Sequence, residues 1–210
     1  MPFALSVFLV LILLVASELW WRRRDVHGEF SRKFVHITVG SFVAFWPYFL
    51  TPRQIMLLSL AFLVGVAVSK YLNIFQAIHS VQRPTLGEFW FALVVGLLAL
   101  ITDTHPHIYT TALLVMALAD GLAAVVGIHF GNGYRYVVFG SPKSILGTAT
   151  FFATTCLILT GYVLATPGAL ALSLIFPIAA VATILENVAV RGLDNLLVPL
   201  FMAGTLLLLV

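Results

Sequence analysis

Apolar runs long enough to cross a bilayer follow one another along nearly the whole chain, and few folds accommodate them. They extend from Phe3 to Trp20, Phe34 to Phe49, Gln54 to Leu72, Leu86 to Ile101, Ile108 to Gly127, Ile145 to Leu164, Ala169 to Leu185 and Leu196 to Val210. A spanning helix needs roughly 20 mostly apolar residues, and packed helices manage with fewer. The second, fourth, seventh and last runs are short, so the expectation is an all-α, polytopic transmembrane bundle of about seven or eight spans. Of the 210 residues, 61% are hydrophobic and 9% charged, with a mean hydropathy of +1.09, which excludes an ordinary soluble domain. No loop is long enough for a soluble domain, so residues 1–210 read as one integral-membrane domain, with an anchor span and basic loop over 1–30. The polar motifs fall within 31–210.

Basic residues orient the bundle. With the N-terminus outside, Arg22, Arg23, Arg24, Arg32, Lys33, Lys70, Arg83, Arg135, Lys143 and Arg191 all lie in inner loops, and Arg53 alone lies outside. That asymmetry is the positive-inside pattern. The formal charge of +3 therefore reports topology and attraction to anionic headgroups, not nucleic-acid binding. The first run lacks a preceding basic region and is followed by WWRRR, so it reads as an anchor. Cys156 is the single cysteine, mid-span, and suits packing. Asp103, His105 and His107 in an outer loop read as solvated and are assigned no site.

The polar residues concentrate in three stretches. In ADGLAAVVGIHFGNGYRYVVFGSPKSILGTATFF, Asp120 is a carboxylate inside an apolar helix, costly enough to suggest function. Ala117, Asp120, Ala124, Gly127 and Gly131 share one small-residue face, which serves either close helix packing or the approach of a ligand's phosphates to the backbone. Ser141 is a good N-cap and Pro142 a good first helical residue, so a helix is predicted to start there with Lys143, Ser144 and Ile145 in its first turn. Its free N–H groups and Lys143 would form an anion site, with Gly147 and Thr148 leaving room and a hydroxyl one turn on. A carboxylate for a divalent cation beside such a site is what a nucleoside triphosphate requires, although no Walker A loop is present.

In SRKFVHITVG, Arg32, His36 and Gly40 fall on one helical face with Lys33 on its flank. Two cations at a helix start oppose its dipole unless an anion sits between them. His36, one turn further in, is placed to orient a phosphate or take a proton from a lipid hydroxyl; the competing reading is a stop-transfer charge beside a satisfied histidine. Thr85 and Glu88 have capping-box spacing. In TILENVAVRGLDNLLVP, Glu186 closes one span, and Asp194 and Asn195 open the last. Asp194 is a plausible N-cap, yet Asp120, Glu186 and Asp194 on one membrane face can also hold Mg²⁺ against phosphates.

RKFVH with Gly40, ADGLAAVVGIHFG followed by SPKSILGT, and LENV with LDNLLVP together resemble the CTP-dependent polyprenol kinase family, which includes dolichol, phytol and farnesol kinases and the yeast-type diacylglycerol kinase. The resemblance spans most of the chain from Ser31 onward, making 31–210 a kinase-like catalytic core. It implies that Asp120 and Lys143 to Thr148 handle CTP and its Mg²⁺, that Arg32, Lys33 and His36 line the same pocket, and that Glu186, Asp194 and Asn195 complete it. Gly127 and Gly131 would allow close approach. Asp120 and His36 are both candidates for the base. The implied activity is transfer of the γ-phosphoryl of CTP to an isoprenoid alcohol or diacylglycerol at the cytoplasmic face. The middle stretch also resembles CDP-diacylglycerol synthases, but Ser144, Ile145 and Leu146 replace that family's Lys, Thr and Trp and its acidic C-terminal signature is missing. A phosphatidate cytidylyltransferase is therefore the rival enzyme, and a small transporter or membrane scaffold the non-enzymatic rival.

Overall fold

A computed structural model describes residues 2–24, 29–72 and 86–210. Its elements are α1 (Pro2–Arg24), α2 (Glu29–Ala44), α3 (Pro52–Leu72), α4 (Gly87–Ile101), α5 (Pro106–Phe130), a hairpin of β1 (Arg135–Val138) and β2 (Ser141–Ser144), α6 (Ile145–Ala165), α7 (Ile175–Val188) and α8 (Asp194–Leu209). Thr85 of the expected capping box lies outside the described residues. The helical class agrees with expectation. Helices α1, α3, α5 and α6 are long and apolar enough to cross a membrane. The four runs that read as short are α2, α4, α7 and α8, of 16, 15, 14 and 16 residues.

Local chemistry sets several helix starts. Thr51 and Gln54 form a reciprocal capping box around Pro52: Thr51 N–H donates to Gln54 Oε1 at 2.9 Å, and Gln54 N–H to Thr51 Oγ1 at 3.4 Å. Pro106 opens α5 at a position where its missing N–H costs nothing. Helix α5 is the central shaft, since 56% of its span is buried against 22% for each of the other long helices. It packs on α2, α6 and α8, while α3 lies against α4 and α7 bridges α6 and α8. Tyr109, Leu113, Val115 and Met116 are fully enclosed in the core it forms. A π turn over Val115–Ala119 interrupts it immediately before Asp120. Such a turn inserts an extra residue and rotates everything after it relative to everything before.

The hairpin corrects the expectation of a helix beginning at Ser141. Phe139 and Gly140 have φ of 46° and 78°, the paired left-handed conformation of a type I′ turn, whose twist suits a two-residue hairpin. Ser141 to Ser144 therefore pair with Arg135 to Val138, and Pro142 is tolerated because both strands are edges. The helix starts three residues later. Ser144 is its N-cap, with Oγ accepting the Gly147 N–H at 3.0 Å, and the Ile145 N–H donates to Tyr134 O at 3.0 Å. The chain itself thus occupies donors that sequence reasoning left for an anion.

Helices α2 and α5 touch through Gly40, where a Cβ would lie 2.7 Å from Ala117 Cβ, a buried methyl with no rotamer to escape into. We expect Gly40→Ala to lower stability by about 1–3 kcal/mol, read as a reduced unfolding temperature in detergent. Gly161→Ala, with open space around its Cβ, should leave that temperature unchanged or raise it.

Candidate functional site

Five helices and the hairpin converge on one charged cavity of about 300 Å³. Helix α2 contributes Arg32 and Lys33, α5 contributes Asp120, Ala124 and Gly127, and the hairpin contributes Arg135, Lys143 and Ser144. Gly147 and Thr148 come from α6, Glu186 from α7 and Asp194 from α8. Groups separated by most of the chain thus share one wall, as the three polar stretches had implied.

Within it, charges pair. Lys33 Nζ donates to Asp120 Oδ2, and both side chains are buried. His36 Nε2 lies 3.6 Å from the same carboxylate oxygen and 3.1 Å from Met116 O. A carbonyl only accepts, so Nε2 carries the proton and Nδ1 remains an acceptor. Met116 belongs to the π turn, so this irregular turn presents both the carbonyl that orients His36 and, one step on, Asp120. On the opposite wall Lys143 Nζ donates to Glu186 Oε1 and, at 3.0 Å, to Glu186 O. Burial alone would lower the Lys143 pKa, but the Glu186 carboxylate outweighs it and holds the ammonium above its ordinary value.

The hairpin register explains how Lys143 arrives there. Tyr136 pairs with Lys143, so the two side chains project from the same face, and both reach α7. Tyr136 O–H donates to Asn187 Oδ1, which also accepts from Thr148 Oγ1 at 3.3 Å, while Asn187 Nδ2 donates to Thr183 O at 2.9 Å. This network ties hairpin, α6 and α7 into one wall. Sequence reasoning did not single out Tyr136 or Asn187; the strand alternation in RYVV and the position of Asn187 beside Glu186 were the available signals.

The small-residue face proves to have a packing role. A Cβ at Gly127 or Gly131 would lie 2.8 or 2.6 Å from Ser144 Oγ, and one at Gly147 would lie 2.9 Å from Ala123 O. These glycines let α5 and the start of α6 close around the Ser144 cap. Gly127 and Gly147 also line the cavity, whereas Gly131 sits behind Ser144. Asn195 is not on the cavity wall. It donates through Nδ2 to Gly87 O at 3.0 Å and lines a narrow cleft with Arg32, His36 and Glu88. The approach needs Gly192, whose φ of 84° is left-handed and whose Cβ would lie 2.6 Å from Gly87 backbone atoms. Among the described residues no three His, Cys, Asp or Glu side chains stand close enough to cage a metal unaided.

Fold and site together describe a helical membrane protein with four helices long and apolar enough to span a bilayer and a charged cavity among its helix ends. No family model and no solved structure matches the chain. A curated relative, phytol kinase of Synechocystis sp., is 34% identical over 191 residues, covering 89% of this chain and 82% of the relative. The chain belongs to the polyprenol kinase family, of which phytol kinase is a member.

A buried charge stripped of its partner is more damaging than a pair removed together. Lys33→Met is accordingly expected to destabilise the protein by about 3–5 kcal/mol, and Lys33→Met combined with Asp120→Asn to recover most of that loss. Denaturant unfolding of the two variants in detergent checks the pairing.

Proposed function

We propose that this chain is a membrane lipid-alcohol kinase that transfers the γ-phosphoryl group of CTP to the hydroxyl of an isoprenoid alcohol, phytol being the first candidate. The single observation that carries the reading is the cavity in which Arg32, Lys33, Arg135 and Lys143 face Asp120, Glu186 and Asp194, in a chain related to a phytol kinase. Cations from three separate elements around one space suit a triphosphate, whose transfer depends on positioning and charge neutralisation more than on covalent chemistry. Membership of this family favours the kinase over a cytidylyltransferase or a transporter.

In the proposed reaction the alcohol oxygen forms a bond to the γ-phosphorus, the bond from that phosphorus to the β-bridging oxygen breaks, and CDP leaves. The hydroxyl proton passes to His36 Nδ1. The commitment of Nε2 to Met116 O supports His36 over Asp120, whose carboxylate is already neutralised by Lys33. Lys143 and Arg32 stabilise charge on the transferred group, and Thr148 and Ser144 bound the phosphate space. The donor set fits Mg²⁺ carried in on the nucleotide, because that ion takes one or two carboxylates plus phosphate oxygens and does not demand a complete protein cage. One or two of Asp120, Glu186 and Asp194 would hold it, and the ion would offset charge on the phosphates. The basic inner loops support a topology of seven or eight spans with the N-terminus outside and the cavity on the cytoplasmic side.

Purified protein given γ-³²P-labelled CTP and phytol should yield labelled phytyl monophosphate and CDP. Release of pyrophosphate with a CDP-lipid from phosphatidate would instead identify the cytidylyltransferase. Lys143→Ala combined with Glu186→Gln, which leaves no unpaired buried carboxylate, should reduce kcat/KM for the nucleotide by about 10²-fold with the fold retained, and unchanged turnover would reject the role of Lys143.

A further inference from the structure

A second, apolar cavity of about 240 Å³ lies among α1, α2, α3 and α4, and the kinase reading gives it no role. Its walls are hydrocarbon, including Val10, Val43, Leu58 and Val95, and the Ser59 hydroxyl on its lining is committed to Ala92 O at 2.6 Å. Between it and the charged cavity lies the narrow cleft, about 50 Å³ in volume. Leu14, Val39, Phe62 and Phe91 line both the apolar cavity and the cleft, while Arg32 lines both the cleft and the charged cavity. The three spaces therefore follow one another, from hydrocarbon to full charge.

The cleft is far too small for a nucleotide and large enough for the end of a chain. Asn195, 4% exposed, is on its wall. Because Nδ2 donates to Gly87 O, the amide orientation is settled, and Oδ1 is a buried acceptor with no donor among the described residues. A buried acceptor left unpaired is costly, so a donor belongs there when the site is in use. An alcohol supplies one O–H, attached to a tail that requires an apolar enclosure.

We infer that the α1–α4 cavity holds the hydrocarbon tail of the acceptor alcohol and that Asn195 Oδ1 accepts its O–H on binding. The O–H then turns to His36, on the wall of the same cleft, when the proton leaves. This assignment rests on the kinase reading and deepens it. It makes Asn195 a binding residue for the acceptor, not for the nucleotide. It also makes the α1–α4 cavity the determinant of tail length.

Gly65 allows a direct test. It lines the apolar cavity, and a Cβ there would meet nothing within 4 Å, so a large side chain can be placed at the cavity wall without striking the backbone. Gly65→Phe should raise the KM for phytol about tenfold or more while sparing a short isoprenoid alcohol such as geraniol, with the nucleotide KM unchanged. Gly161→Phe, equally open but away from the cavity, is the matched control. Asn195→Ala should raise the alcohol KM and leave the nucleotide KM alone. If wild type phosphorylates phytol but Gly65→Phe and Gly161→Phe share one chain-length profile, the tail site is wrong and the kinase reading stands. A diazirine-bearing phytol analogue provides a readout independent of turnover. Cross-links mapped to residues 7–14 and 58–66 support the site, and cross-links confined elsewhere overturn it. Absence of any phosphorylated alcohol from wild type would overturn the kinase reading itself.

Discussion

The ion pair between Lys33 and Asp120 is the contact on which the rest of the arrangement depends. Taking either charge alone out of water costs several kcal/mol, so neither residue is tolerated at this depth without the other. Satisfying both fixes the rotational phase of α2 against α5. Once Lys33 faces α5, residues three and seven positions on face it as well. His36 accordingly reaches Met116 O, and Gly40 meets Ala117 where a larger residue would not fit. Arg32, on the flank, is left to border both the charged cavity and the cleft. The π turn belongs to the same constraint: its extra residue sets the phase in which Asp120 follows Met116, so that one face of α2 engages both.

A second consequence concerns electrostatics. In this structure the lysines of the cavity are neutralised by carboxylates on its own walls, Lys33 by Asp120 and Lys143 by Glu186. A cavity full of unpaired cations within a membrane bundle would repel itself and destabilise the fold. Internal pairing removes that difficulty while keeping the cations in place. On the kinase reading, an arriving polyphosphate would compete for lysines that are already positioned, and the carboxylates they relinquish would be available to a divalent cation.

Much of this was legible in the sequence because it follows from single residues set against apolar surroundings. Asp120 stands out in its helix, as do Arg32, Lys33 and His36 in theirs, and the structure brings them together. The four short runs were likewise visible as short. What was not legible depended on tertiary pairing. Ser141 and Pro142 carry the local signature of a helix start, but the Phe139–Gly140 turn draws them into a strand and Ser144 takes over the cap. A phenylalanine with positive φ is not a standard hairpin signal, so nothing local pointed to that turn. The network of Tyr136, Thr148 and Asn187 depends on hairpin register, and the spaces among α1–α4 depend on how four helices splay; neither has a one-dimensional trace.

The spatial order of the three spaces bears on how transfer to an alcohol would proceed. Phosphoryl transfer needs the attacking and departing oxygens roughly in line across the phosphorus. On the kinase reading, a nucleotide that entered past the hairpin residues of the charged cavity would direct its triphosphate inward, with the γ-phosphorus deepest. An alcohol arriving through the cleft, as inferred above, would approach that phosphorus past Arg32, which lines both spaces. Separate approaches for nucleotide and alcohol would supply that collinearity without the reorientation that one shared mouth would demand of its ligands. Leu14, Val39, Phe62 and Phe91 would add a second effect, since the end of the cleft that joins the apolar cavity is lined by hydrocarbon that disfavours water. On the proposed reading, the acceptor would be selected over solvent by the path it takes, before any difference in nucleophilicity came into play.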